Sequence, residues 1–288
     1  MIGTGAFTSL GFQLKDLNNP SVVLTLWVLG GILALSGAFS YAEVGTVISK
    51  SGGEYAFLSK IYNPLIGYLS GWISLTVGFA APIAFSEYFP FGNFNVKWMS
   101  IALVAVITLI HTRSLKLSAE FQNISTLLKV ILIVIIISIG LVLPEHSGNE
   151  IVSSKGYFTE LTSTAFAIAL IYVSYSYSGW NAAAYITEEF ENPLKSLPKA
   201  LIGGTVLVTV LYTLLQYVFL KHVPVNDLAG QLNVGTIATK QMLGEKAGSF
   251  FGLAISLLLI SGISAMVWVG PRVTLSIAKE HRLWSYFQ

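Results

Sequence analysis

The 288-residue chain is 54% hydrophobic and only 10% charged, with a mean hydropathy of +0.71, whereas a soluble globular domain carries about a quarter charged residues. That balance excludes an ordinary soluble domain, and a net charge of +2 points to neither nucleic acid nor an acidic partner. With no cysteine, a disulfide framework, a disulfide-linked partner subunit, a thiolate metal site and a cysteine nucleophile are excluded together.

A run of about 20 apolar residues spans a bilayer as a helix. Met1–Leu14 reads as half a span: it opens on Gly3-Thr4-Gly5 and has no basic leader, so it carries no signal-peptide pattern. The complete spans expected after it are Val22–Ile48, Pro64–Phe89, Val96–Ile110, Ser125–Leu143, Leu161–Thr187, Ala200–Leu220 and Ala247–Ile277. Counting the half-span as span 1, these are spans 2 to 8. Leu143–Glu160 and Lys221–Lys246 are the longest polar connections, and the second is expected to include a short helix lying at the membrane interface. No low-complexity tract or Pro/Ser-rich linker interrupts the chain, so residues 1–288 read as a single transmembrane domain.

Lys and Arg in the connections set orientation. Placing the connection around Lys50 and Lys60 in the cytoplasm collects Lys50, Lys60, Arg113, Lys116, Lys195, Lys199, Arg272, Lys279 and Arg282 inside. Lys15, Lys97, Lys155, Lys221, Lys240 and Lys246 fall outside, and Lys129 lies within a span. All the arginines fall on the inner side.

Two segments read as interrupted helices. In Ile2-Gly3-Thr4-Gly5-Ala6-Phe7 two glycines flank a small hydroxyl residue. In Ser174-Tyr175-Ser176-Tyr177-Ser178-Gly179-Trp180-Asn181 hydroxyl side chains compete with the helix ladder, and Gly179 costs about 1 kcal/mol relative to Ala. Broken helices persist in a membrane only where the freed backbone groups line a cavity or meet a ligand. Paired breaks in two halves point to a transporter binding site. Exposed N–H groups at a half-helix start suit a carboxylate, and carbonyls at a half-helix end suit an ammonium. Together they describe a free α-amino acid. Taken singly, the glycines read equally well as close-packing positions, and the Tyr175–Asn181 cluster as interfacial aromatics at a helix end.

Other chemistries lack their residues. No Gly-x-x-x-x-Gly-Lys motif for ATP occurs. His111, His146, His222 and His281 are scattered through connections and span ends, which supports neither an intramembrane metalloenzyme nor a metal site. No cofactor is expected, and the chain reads as a transporter rather than an enzyme.

The motifs together resemble the amino acid–polyamine–organocation (APC) superfamily, and within it the bacterial amino-acid permeases. Ile2-Gly3-Thr4-Gly5-Ala6-Phe7 is similar to the family's Gly-Ser/Thr-Gly-Ile-Phe break in span 1. Ser40-Tyr41-Ala42-Glu43-Val44-Gly45 with Lys50-Ser51-Gly52-Gly53-Glu54-Tyr55 resembles the stretch closing span 2 and entering span 3, with Ser49 where a proline is usual; Gly71-Trp72 fits span 3. Tyr175-Ser176-Tyr177-Ser178-Gly179-Trp180-Asn181 resembles the Phe-Ala-Tyr-x-Gly-Trp-Asn break of span 6. Thr187-Glu188-Glu189-Phe190-Glu191-Asn192-Pro193 and Leu197-Pro198-Lys199-Ala200 resemble the entry to span 7. Gly270-Pro271-Arg272 with Ala278-Lys279-Glu280 resembles the end of span 8.

This resemblance implies an all-α polytopic membrane protein with the LeuT-like five-plus-five inverted-repeat fold. It places a first repeat at about 1–145 and a partial second repeat at about 158–288. The family has about twelve spans, so the chain is expected to be a fragment running from the second half of span 1 to span 8. The implied function is secondary active transport of amino acids by alternating access, proton-coupled or by exchange, in a cell membrane such as the bacterial inner membrane. The implied partners are a small-molecule amino acid, protons and membrane lipid. A non-transporting remnant, or a membrane sensor that keeps the amino-acid pocket, is the alternative.

The resemblance also implies residue roles. Amides around Gly3, Thr4 and Gly5 would hold the substrate carboxylate, and carbonyls around Tyr175, Ser176 and Ser178 its ammonium. Tyr175 falls where the family places an aromatic gate, Gly179 would leave room for the substrate side chain, and Trp180 would line the pocket. Lys129 resembles a tethered replacement for a sodium ion that bridges spans 1, 5 and 8. The residues alone also allow a lysine snorkelling to the interface. Glu43 reads as a structural pairing partner or a gating group. Glu188, Glu189 and Glu191 read as solvated carboxylates, Arg113 and Arg272 as span-end anchors. Asn181 reads either as an interhelical hydrogen bonder or as a brace for the unwound segment.

Overall fold

The computed structural model of the chain describes residues 2–77, 96–113, 115–145, 147–149, 151 and 155–280. The far part of the third span, His146, His281 and Arg282 lie outside these residues. Among the described residues the chain is all helix, without a strand.

Helix α1 (Gly5–Gln13) is short and starts at the second glycine of the pair. Helix α2 (Pro20–Val47) starts where Asn19 accepts the Ser21 amide at 2.9 Å and Pro20 takes the first helical position, a favourable N-terminal pairing. Then come α3 (Glu54–Ile61), α4 (Pro64–Val77), α5 (Val96–Arg113), α6 (Leu115–Val142) and α7 (Tyr157–Leu161). Helix α8 (Thr164–Tyr177), capped by Ser163 on the Phe166 amide, is followed by a 3-10 segment, Trp180–Glu189. Helix α9 (Pro193–Pro198) passes through a π-type turn, Lys199–Gly203, into α10 (Gly204–His222). Helices α11 (Val225–Leu228), α12 (Val234–Leu243) and α13 (Glu245–Glu280) complete the described chain.

Among the described residues four helical stretches are long and apolar enough to cross a membrane: Pro20–Val47, Ala119–Val142, Pro193–His222 and Glu245–Glu280, with a shorter apolar helix at Ile101–Thr112. Helix α6 begins ten residues before the expected Ser125, because Lys116 and Glu120 lower the local hydropathy without breaking the helix. Span 6 is divided into two helical pieces, as a broken span should be.

Helix α2 is the organising rod and packs against α8, α9 and α10. Its glycines let neighbours approach closely: Gly30 faces Val173 and Tyr177 of α8, Gly31 faces Thr209 of α10, and Gly45 faces Leu197 of α9. This is the small-residue packing of membrane helices, where close van der Waals contact substitutes for the hydrophobic effect. The largest core lies between α1, α2, α6, α8, α10 and α12. At its centre Trp27 meets Tyr212 edge-on at 5.6 Å and Tyr177 at 6.0 Å, and the Trp27 indole donates to Gln13 Oε1 at 3.0 Å.

The ends of α6 and α10 meet. Lys221 Nζ donates to the carbonyls of Gly140, Leu141 and Leu143 at 3.1, 3.0 and 2.7 Å, and His222 Nε2 lies 2.7 Å from the Gly140 oxygen. The last carbonyls of α6 thereby gain donors and a cation at the negative end of the helix dipole. The connection after α10 contains the short helices α11 and α12; Val234, Ala238 and Met242 of α12 are buried, and it packs on α13 and α1.

Candidate functional site

Gly179 breaks span 6. Helix α8 ends at Tyr177, Ser178 turns to extended backbone (ψ 151°), and Gly179 takes φ +89°, a left-handed conformation that only glycine adopts without strain. The Ser178 amide returns to the Tyr175 carbonyl at 3.0 Å. The last carbonyls of a helix have no intrahelical donor, so the end of α8 presents acceptors.

The other segment read as interrupted lies at the start of α1, where Thr4 O receives the amides of Phe7 and Thr8 at 2.8 and 3.1 Å. The first-turn amides have no intrahelical acceptor and present donors. A Cβ on Gly3 would meet nothing within 4 Å, whereas one on Gly5 would sit 2.6 Å from Ser176 Oγ and 2.8 Å from its Cα. Gly3 therefore borders open space, and Gly5 is the contact through which α1 and α8 come together.

That contact is polar and buried. Ser9 Oγ donates to the Gly5 carbonyl at 2.8 Å and lies 2.6 Å from Ser176 Oγ, which reaches the Tyr172 carbonyl at 2.9 Å. The two breaks are thus joined side by side, the donor end of one half-helix near the acceptor end of the other. Three further side chains converge on the first break. Lys129 of α6, only 5% exposed, donates to the Ile2 carbonyl at 2.6 Å. Gln216 of α10 donates to the Ala6 carbonyl at 2.8 Å, and the Tyr212 hydroxyl lies against the Gly3 backbone.

The residues expected at the site are placed as follows. Gly3, Thr4, Gly5 and Ser176 come together, and Lys129 reaches the same break. Ser178 is exposed and Gly179 half-buried. Tyr175 is 66% exposed, on the opposite side of α8 from Tyr177, which is buried and donates to the Trp27 carbonyl at 2.8 Å. The Trp180 ring turns toward α2, edge-on to Tyr41 at 4.8 Å and against Gly37. With Tyr177, Gly204, Thr205 and Val208 it lines a void of ≈ 10 Å³, room for about one water molecule.

Other expected residues take different partners. Glu43 is exposed, and among the described residues no ion pair reaches it. Glu189 is paired rather than merely solvated: it takes Arg272 through both Nε and Nη2, at 2.8 and 2.7 Å. Asn181 donates to Glu54. Sequence reasoning missed Ser9, Tyr212 and Gln216. Ser9 had a signal in its position one turn after Gly5, and Gln216 in being an amide within an apolar span.

A family model described as "Amino acid permease" matches residues 1–288. The chain is 35% identical over 241 residues to human b(0,+)-type amino acid transporter 1, covering 79% of this chain and 50% of that protein. It is 28% identical over 298 residues to the serine/threonine exchanger SteT of Bacillus subtilis (strain 168), covering 98% of this chain and 66% of that protein. With mouse Asc-type amino acid transporter 1 it shares 27% identity over 307 residues, covering 99% and 57%. The chain thus spans half to two thirds of the length of these curated relatives. With paired half-helices in an all-α, multi-span fold and a family match along its full length, the chain belongs to the amino acid permeases, polytopic membrane transporters of the APC superfamily.

Proposed function

We propose that this chain carries the substrate site of a secondary amino-acid transporter working by alternating access, by exchange or with proton coupling. The observation that carries the reading is the juxtaposition of the two breaks through Gly5, Ser9 and Ser176. Amides at Gly3, Thr4 and Gly5 receive the substrate carboxylate, aided by the helix dipole. Carbonyls at the end of α8, from Tyr175, Ser176 and Ser178, receive the ammonium. Gly179 leaves room for the side chain, and Trp180 closes the pocket toward α2. Tyr175 serves as a gate once its half of span 6 moves.

Lys129 is the coupling residue. A buried ammonium inside a membrane is costly and marks a functional position. Its donation to Ile2 O ties α6 to the span-1 break, where a proton on the amine favours one arrangement of the break and its loss another. The relatives' names, which denote amino acid transporters and an exchanger, support an amino acid as the cargo. Residues 1–145 form the first repeat and 158–288 part of the second.

The test is flux in proteoliposomes preloaded with unlabelled L-serine or L-leucine. The reading expects saturable uptake of the labelled amino acid that depends on the internal load or on a proton gradient. Saturable binding without any uptake would instead favour an amino-acid-binding membrane sensor or a non-transporting remnant.

A further inference from the structure

The second half of the broken span 6 is held to the α2–α4 connection by contacts that the substrate site does not use. Asn181 Nδ2 donates to Glu54 Oε1, and Tyr41 (α2) and Tyr185 (3-10 segment) lie near the same carboxylate, whose Oε2 is buried without a hydrogen-bond partner among the described residues. Glu54 opens α3, in the connection between α2 and α4. Around it the contacts are backbone to backbone: the Gly52 and Gly53 amides donate to the carbonyls of Tyr185 and Ala184 at 3.2 and 3.3 Å. A Cβ on Gly53 would fall 2.6 Å from the Tyr185 ring, so the connection lies flat on the 3-10 segment. Tyr185 also reaches Ser74 of α4 at 3.5 Å. A carboxylate taken from water needs a donor, and here Asn181 of the post-break segment supplies it.

We propose that Glu54 is a positioning residue: its carboxylate, through Asn181, latches the post-break half of span 6 to the α2–α4 connection. Trp180 of the candidate site is adjacent to Asn181 in sequence, so the latch sets where the lower wall of the pocket stands. Release of the pair frees the 3-10 segment to move away from α3 while α8 stays bound to α1 through Ser9 and Ser176. Gly179 supplies the joint between the two. The reading rests on the transport function proposed above, yet the latch itself is testable without any substrate.

The chain has no cysteine, so one introduced thiol reports alone. Ala184 is fully buried against Ile48 and Phe57, and Ala184→Cys in the reconstituted protein reports exposure by its rate of reaction with a water-soluble maleimide. Glu54→Leu, which removes the acceptor, should raise that rate at least tenfold. Glu54→Gln, which keeps an acceptor oxygen, should raise it less than threefold. The exchange Glu54→Asn with Asn181→Glu should return it to within threefold of the parent. Where Glu54→Leu does not yield folded protein, Asn181→Leu removes the donor of the same pair and carries the same expectation. A rate within twofold of the parent in the Leu variant overturns the proposal, as does an exchange variant that reacts as fast as Glu54→Leu. For L-serine or L-leucine uptake, the latch expects Glu54→Leu to lower the maximal rate while the half-saturating concentration stays within twofold. Absence of saturable uptake by the unsubstituted protein counts against the transport reading alone, because the thiol reaction still decides the latch.

Discussion

The Lys129 ammonium and the Ile2 carbonyl lie 2.6 Å apart, and they join a spanning helix to the break that opens α1. A carbonyl freed by a break needs a donor in a membrane, and a charge-assisted hydrogen bond is a strong one. Lys129→Gln keeps a donor but removes the titratable charge. It should abolish proton-dependent uptake in proteoliposomes while the purified protein keeps its elution profile. Uptake at the parental rate and pH dependence would remove Lys129 from the coupling role.

Gly3 and Gly5 are two residues apart and should respond oppositely to the same change. Gly5→Ala forces its methyl into the Ser176 backbone, an overpacking that costs about 1–3 kcal/mol; the Tm in detergent should fall and α1 should detach from α8. Gly3→Ala meets open space, so its Tm should stay near the parental value. A methyl there enters the proposed carboxylate site, and amino-acid affinity should weaken by tenfold or more. Equal Tm values for the two variants would contradict the packing described at Gly5.

Gly179→Ala should destabilise the protein by about 1–2 kcal/mol, because φ +89° is a left-handed conformation that an L side chain resists. Differential scanning fluorimetry measures this directly. A Tm unchanged within error would mean that the joint between α8 and the 3-10 segment has another geometry.

Lys221→Met withdraws the donor of three carbonyls at the end of α6. A cation at a helix C-terminus contributes about 1 kcal/mol, so local opening should increase. Hydrogen exchange read by mass spectrometry should speed up in peptides covering the C-terminal end of α6 and leave α2 unaffected.

Much of this architecture is legible in the sequence, and the limits have physical causes. Uniform apolar runs announced α2 and α10, and a Ser/Tyr repeat ending in Gly179-Trp180-Asn181 announced the break in span 6. Direction around a helix was harder to read. Tyr175 and Tyr177 differ by about 200° at 3.6 residues per turn, and the fold turns Tyr177 inward while Tyr175 stays 66% exposed. Partners distant in sequence were harder still. Ser9 meets Ser176, Asn181 meets Glu54 and Arg272 meets Glu189 only because α1, α3 and α13 gather around span 6. No local pattern marks Tyr212 or Gln216 as neighbours of the first break, since that depends on how α10 packs against α1.

The central claim is that the paired breaks hold both ends of an α-amino acid. The most direct measurement is equilibrium binding of the twenty labelled L-amino acids to the purified protein, followed by competition for the tightest one. Its decarboxylated amine and its deaminated acid serve as the competitors. The account predicts saturable binding of at least one amino acid, with each analogue, lacking one charged end, competing at least a hundredfold more weakly. Either analogue competing as well as the amino acid itself would contradict it, as would no saturable binding of any of the twenty.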